Sequence, residues 1–249
     1  MLNIMLCGCG GRMGAAVIAA AKEAGDRIVA GVDINPAADS PFPIFTTPDE
    51  FVGKADVIID FSHHSALPGL LAYAERTGTP LVVSTTGHTE EELAEMKAAS
   101  AKVPVFFSRN MSLGINLLIS LCRRAAATLG ADFDIEIIEK HHNKKLDAPS
   151  GTALMIADEI ASVLPEKAEY VHGRSGICGK RTRNEIGIHA IRGGTIVGEH
   201  EVLFSGYNEK VVISHSAASR EILANGAVCA ALFLREQAPG KYSMKDIFS

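Results

Sequence analysis

Five short apolar runs recur through the first half of the chain, at residues 4–7, 28–32, 57–60, 81–84 and 105–107. Most are followed by a stretch of helical periodicity, at 13–24, 66–77 and 90–101. Strand, helix, strand at this rhythm implies a parallel sheet. The runs are apolar at odd and even positions alike, as strands covered by helices on both faces must be. The fold class that follows is α/β, an N-terminal Rossmann-type doubly wound parallel sheet.

After Asn110 the rhythm changes. A long helical pattern at 112–129 leads to a strand at 133–139. A helix then opens at Pro149-Ser150-Gly151-Thr152 and runs to about residue 163. Three further strand patterns follow at 186–191, 195–204 and 210–215, with Asn208 in a turn before the last. This half reads as a C-terminal α+β domain with a mixed, largely antiparallel sheet and helices on one face. The final helical pattern, 219–234, is rich in Ala and Leu, and the N-terminal sheet still needs helical cover. The expected division is therefore residues 1–111 with 220–249 in a dinucleotide-binding domain, and 112–219 in a substrate-binding domain.

Of the 249 residues, 47% are hydrophobic, enough for a sizeable core, and the formal net charge is −5. Acids and bases are interspersed and no basic tract stands out, so no nucleic-acid partner is expected. The apolar runs are far too short to span a bilayer, so neither is a membrane. The first residues enter the first strand with no basic segment or cleavage site, so no signal or transit peptide is expected. Cys7, Cys9, Cys122, Cys178 and Cys229 are an odd, scattered set, read as reduced thiols of a cytoplasmic protein without metal or disulfide.

Gly8-Cys9-Gly10-Gly11-Arg12-Met13-Gly14 follows the first strand and opens the first helix. Glycines there let the backbone approach a pyrophosphate, and the helix start supplies free N–H groups. Asp33 ends the second strand, at roughly the 20-residue offset of a ribose-binding acid. Its carboxylate can accept hydrogen bonds from both ribose hydroxyls and repels a 2′-phosphate, and the next residue, Ile34, carries no charge. NADH is therefore the preferred cofactor and NADPH the second choice. Ser84, Thr85 and Thr86 follow the fourth strand, and Ser108, Arg109, Asn110 and Met111 the fifth. Both segments lie where ligands sit in open parallel sheets, beyond the carboxyl ends of the strands.

The run Glu139-Lys-His-His-Asn-Lys-Lys-Leu-Asp-Ala-Pro-Ser-Gly-Thr152 concentrates the remaining chemistry. His141 and His142, if extended, point to opposite faces of the strand, so they have different tasks. One donates a proton; the other binds substrate or orients the site. Lys145 is a second donor if a desolvated site lowers its pKa. Adjacent histidines rarely chelate one ion, so no metal is assigned. Ser150 is a good N-cap, and Gly151 and Thr152 then expose backbone N–H groups suited to a carboxylate. The implied substrate is a small carboxylate or dicarboxylate.

The segments Gly8–Gly14, Asp60-Phe61-Ser62, Ser84-Thr85-Thr86-Gly87 and His141–Thr152 together resemble those of 4-hydroxy-tetrahydrodipicolinate reductases, also called dihydrodipicolinate reductases. The likeness continues in Val197-Gly198-Glu199-His200 and Ser219-Arg220 and covers nearly the whole chain. It implies a reaction of lysine and diaminopimelate biosynthesis. A cyclic imine dicarboxylate loses its hydroxyl as water, and NAD(P)H reduces the conjugated ring. By resemblance, His141 is the proton donor and Lys145 the second. His142, Gly151, Thr152 and Arg220 contact substrate, while Gly8 to Met13, Asp33, Ser84 to Thr86 and Ser108 to Met111 contact the cofactor. It also implies a homotetramer built through the second-domain sheets. The chain departs from the family pattern at Ser84, often Gly, and at Arg109, where small residues are usual.

Overall fold

The computed structural model describes residues 1–36 and 39–248. In chain order its elements begin with β1 (Asn3–Cys7), α1 (Arg12–Glu23), β2 (Arg27–Val32), β3 (Ile44–Phe45), β4 (Val57–Asp60), α2 (Leu67–Thr77), β5 (Leu81–Val83), α3 (Glu90–Ala99) and β6 (Pro104–Phe107). There follow α4 (Leu113–Leu129), β7 (Asp134–His141), α5 (Gly151–Ala161), β8 (Glu169–His172), β9 (Glu185–Arg192), β10 (Gly198–Gly206) and β11 (Glu209–Ala217). The chain ends with α6 (Glu221–Leu234), β12 (Gly240–Tyr242) and α7 (Met244–Ile247).

The chain divides into two compact units, Met1–Leu113 with the residues from Glu221 onward, and Gly114–Arg220. The first holds a seven-stranded, all-parallel sheet in the order β12-β6-β5-β4-β1-β2-β3. The doubly wound reading holds, and two short edge strands, β3 and β12, extend it. Because the sheet is buried on both faces, its side chains feed two cores. Leu2, Ile4, Leu6, Ile59 and Phe106 pack with α1 and α6 on one face. Met5, Ile58, Leu81 and Val83 pack with α2 and α3 on the other. Each such side chain, fully out of water, contributes about 1.5–3 kcal/mol before chain entropy is counted. The helix α6 belongs to this unit. It comes so close to the chain after β6 that a Cβ on Gly226 would lie 1.7 Å from the Met111 carbonyl oxygen.

The second unit is a five-stranded mixed sheet, β11-β10-β7-β9-β8. Strand β10 is antiparallel to β7 and β11, while β9 is parallel to β7 and β8. The longest ladder, β10 with β11, is antiparallel. Alternation along β7 puts Ile135 and Ile137 on the covered face, where they meet Ile115, Leu118 and Cys122 of α4 and Ile156 and Ile160 of α5. Asn208 takes φ 57° in the β10–β11 turn, a left-handed conformation that asparagine tolerates better than most side chains. Strand β7 runs two residues further than sequence periodicity indicates, to His141, because β9 pairs with it through His141↔Arg192. Edge strand β8 carries no strong alternation and is visible only in the fold.

Candidate active site

In the first unit, Gly8 turns the chain out of β1 with φ +76°, and its N–H donates to the Val32 carbonyl at 2.8 Å. A Cβ there would sit 2.4 Å from the Phe61 carbonyl oxygen, so both backbone conformation and space require glycine. Helix α1 then starts with Gly11 as its N-cap, with no side-chain capping bond and no acid in the first turn. Its leading N–H groups and positive end are therefore open to an anion, which is what a pyrophosphate needs. Arg12 and Met13 lie in that first turn. Cys9 is buried in the core, and burial, with Asp33 second, raises its thiol pKa, so only its backbone is available to a ligand.

Asp33 follows β2. Its Oδ2 accepts the Gly10 N–H at 2.9 Å and its Oδ1 the Asn35 N–H at 3.0 Å. Next to β1, the ends of β4 and β5 line a groove of about 290 Å³ bounded by Phe61, Ser62, His63, His64, Ser84, Thr85 and Thr86. Ser84 donates its N–H to the Asp60 carbonyl at 2.9 Å, and its hydroxyl is buried without a partner among the described residues. Asp60 is 1% exposed; burial raises its pKa against hydrogen bonds led by Ser62. After β6, Ser108 Oγ donates to the Asn110 carbonyl at 2.7 Å, shaping the segment in which Arg109 is exposed. Met111, grouped from sequence with the cofactor contacts, puts its side chain in the core, 2% exposed.

In the second unit the geometry centres on Glu139, to which sequence reasoning gave no role. It stands on the covered face of β7 in register with Ile135 and Ile137, and is 0% exposed. Four hydrogen bonds satisfy it. Oε2 accepts His141 Nδ1 at 2.6 Å and Arg192 NH1 at 2.8 Å. Oε1 accepts Arg192 NH2 at 2.7 Å and the Ser150 backbone N–H at 3.0 Å. Burial alone would raise this carboxyl's pKa, but the bonds from Arg192, His141 and Ser150 outweigh it and hold it low. Removing one partner of such a buried ion pair costs about 3–5 kcal/mol.

His141 closes β7. Burial pushes its imidazole below the usual range, and the Glu139 carboxylate opposes that push. Its ring meets His200 edge-to-face, centroids 5.3 Å apart. His200 is 4% exposed and burial takes its pKa to about 4, so it is a neutral ring at physiological pH. Its Nε2 lies 2.9 Å from Ser150 Oγ. That hydroxyl also accepts the Ala153 N–H at 3.1 Å, so Ser150 is the N-cap of α5, as its sequence position indicates. Gly151 and Thr152 form the first turn. His142 lies just past the strand, and its Nε2 accepts from Arg220 NH2 at 3.3 Å. Lys145 Nζ pairs with Asp147 at 2.8 Å and is largely buried. The structure thus brings His141, Ser150 and the start of α5 together on one carboxylate, and separately joins His142 to Arg220. His200 and Arg192 complete the site; a titratable residue in a core register, as at Glu139 and His200, is the signal that would have found them.

Among the described residues no group of three or more His, Cys, Asp or Glu side chains could hold a metal ion, and no helix is long and apolar enough to cross a membrane.

Two family models match, described as dihydrodipicolinate reductase, N-terminus, over residues 2–111, and dihydrodipicolinate reductase, C-terminus, over residues 114–248. The chain is 54% identical to the 4-hydroxy-tetrahydrodipicolinate reductase of Caldanaerobacter subterraneus subsp. tengcongensis, over 99% of this chain and 98% of that protein. It is 49% identical to the enzyme of that name from Clostridium tetani, over 98% and 96%. In fold it is similar to the dipicolinate-bound dihydrodipicolinate reductase from Paenisporosarcina sp. TG-14, with TM-score 0.83, 24% identity and coverage of 98% and 97%. A glycine loop built for a pyrophosphate, two candidate proton donors and full-length kinship agree: the chain belongs to the 4-hydroxy-tetrahydrodipicolinate reductase family, NAD(P)H-dependent oxidoreductases of lysine and diaminopimelate biosynthesis.

Proposed function

We propose that this chain reduces 4-hydroxy-tetrahydrodipicolinate to tetrahydrodipicolinate with loss of water, consuming one NAD(P)H and one proton. The observation that carries the reading is the attachment of His141 and the α5 N-cap to one buried carboxylate, which sets a proton donor beside an anion-binding helix start. When bound, the nicotinamide supplies the hydride. His141 delivers a proton from Nε2, since Nδ1 is committed to Glu139. Lys145, held by Asp147, is the second donor. Ser150 holds the helix start at which Gly151 and Thr152 take one substrate carboxylate, and His142 with Arg220 takes the other.

Gly8, Cys9, Gly10, Gly11, Arg12 and Met13 receive the pyrophosphate side of the nucleotide, with the backbone of Cys9 rather than its thiol. Asp33 takes the adenosine ribose. Ser84, Thr85, Thr86 and Ser108 to Asn110 border the nicotinamide side, and Met111 joins them through its backbone. The first unit is thereby the dinucleotide-binding domain and the second the substrate-binding and oligomerisation domain of a cytoplasmic homotetramer. NADH is preferred, because a 2′-phosphate would meet the Asp33 carboxylate with Ile34, 86% exposed, supplying no charge. NADPH turnover equal to or better than NADH turnover overturns that preference.

The test is oxidation of NADH, followed at 340 nm, with substrate freshly made by the preceding pathway enzyme. His141→Gln and Lys145→Ala should each lower kcat about 10²-fold or more, the scale of general acid–base catalysis. Wild-type kcat in both variants would put the chemistry elsewhere.

A further inference from the structure

Glu139 occupies a position where the fold asks for an apolar side chain. Its neighbours on the same face of β7, Ile135 and Ile137, are core residues, and its cross-strand partner on β10 is the buried His200. Replacing a buried ion pair with apolar residues of similar size often leaves a fold as stable or more so. Stability alone therefore does not explain the Glu139–Arg192 pair. What the carboxylate adds is direction. Its Oε2 takes the Nδ1 proton of His141 at 2.6 Å, which assigns the tautomer and leaves Nε2 as the atom that exchanges protons. Gly198 faces that nitrogen: a Cβ there would lie 3.1 Å from Nε2, so residue 198 places no side chain against it. Arg192 donates to both carboxylate oxygens and, through NH2, to the Asp147 carbonyl at 2.7 Å. The other oxygen, Oε1, fixes the Ser150 N–H.

We propose that Glu139 is the positioning residue of the reaction. It holds His141 with Nδ1 protonated and Nε2 presented, and ties the start of α5 to the same anchor, with Arg192 keeping the carboxylate ionised and oriented. This rests on the reading of His141 as proton donor.

The test compares the full-length wild type with Glu139→Gln, the double variant Glu139→Gln/Arg192→Met, and His141→Gln. In the wild type, ¹⁵N NMR of the histidine rings should find His141 as the Nδ1–H tautomer at alkaline pH, a readout that needs no variant. A Gln amide cannot accept at both former oxygen positions, so Glu139→Gln should mix the tautomers and lower kcat by roughly 10- to 100-fold. Its basic limb in the pH profile should move to lower pH, because the charge that favours the imidazolium is gone. KM for the substrate should change far less. The double variant should recover the thermal midpoint but not kcat. If it recovers both, or if wild-type His141 is the Nε2–H tautomer, Glu139 is only a structural partner of Arg192 and the proposal falls. A loss in His141→Gln without loss in either Glu139 variant overturns the positioning role and leaves the donor reading standing. Wild-type kcat in His141→Gln overturns both.

Discussion

His200 should make the second unit acid-sensitive by an amount that can be worked out. Its ring is 4% exposed, and burial depresses its pKa from 6.5 to about 4. Above pH 6.5 it is neutral whether the chain is folded or unfolded, so no proton is taken up on unfolding and its contribution is fully present. Between pH 6.5 and 4 the unfolded chain binds a proton that the native state refuses, and stability falls as pH falls. For a shift of this size the loss is about 2 kcal/mol at pH 5 and about 3 kcal/mol at pH 4. Below the native pKa no further loss arises from this group. The assay is urea unfolding followed by far-UV circular dichroism from pH 8 to 4, on the wild type and His200→Asn. Asparagine lacks the titration, and its amide matches the Nδ1 position rather than the Nε2 that faces Ser150, so that contact is lost with the ring. The variant should be less stable at pH 8, where the Ser150 Oγ contact and ring packing against His141 are weakened. The gap should narrow steadily towards pH 4. His141 and His215, also depressed by burial, titrate in both proteins and largely cancel from the difference. Two parallel stability curves would refute the reasoning, as would a native-state NMR titration of His200 near pH 6.5.

Gly226→Ala should destabilise the first unit by about 1–3 kcal/mol or more, because the added methyl meets a backbone carbonyl that no rotamer change can move; an unchanged thermal midpoint would contradict the close approach of α6. Arg220→Ala should raise the substrate KM several-fold with kcat nearly unchanged, as expected of a group that binds a carboxylate equally in ground and transition states; a fall in kcat at constant KM in steady-state assays would instead give Arg220 a part in the chemical step.

What sequence discloses, and what it hides, follows from the range over which each signal acts. The parallel core announced itself because β1, β2, β4, β5 and β6 are apolar on both faces and, except between β2 and β4, separated by α-helices, a local pattern. The edge strands β3 and β12 have two and three residues and one neighbour each, too little to impose any periodicity. Ser150 was legible as an N-cap because capping is decided within three residues. Glu139 lay inside the same conspicuous run, yet its role depends on Arg192, 53 residues away, and on a pairing of β7 with β9 that no local rule supplies. His200 is set opposite Glu139 by the register of β10, information that exists only once the sheet has formed. The opposite-face reading of His141 and His142 assumed an extended strand through both; β7 ends at His141, and the two rings differ instead in their partners, Glu139 for one and Arg220 for the other.

The contact between Asp33 and the glycine loop carries a consequence for how cofactor preference can be altered. The carboxylate proposed above to discriminate between nucleotides is also a strut: its Oδ2 holds the Gly10 N–H, and a Cβ on Gly10 would lie 3.1 Å from that oxygen. Replacing Asp33 with a neutral or basic residue to admit a 2′-phosphate unties the loop, so affinity for both nucleotides falls before selectivity reverses. The passable route starts one residue later, at the exposed Ile34, where a cation can be added while the strut still stands.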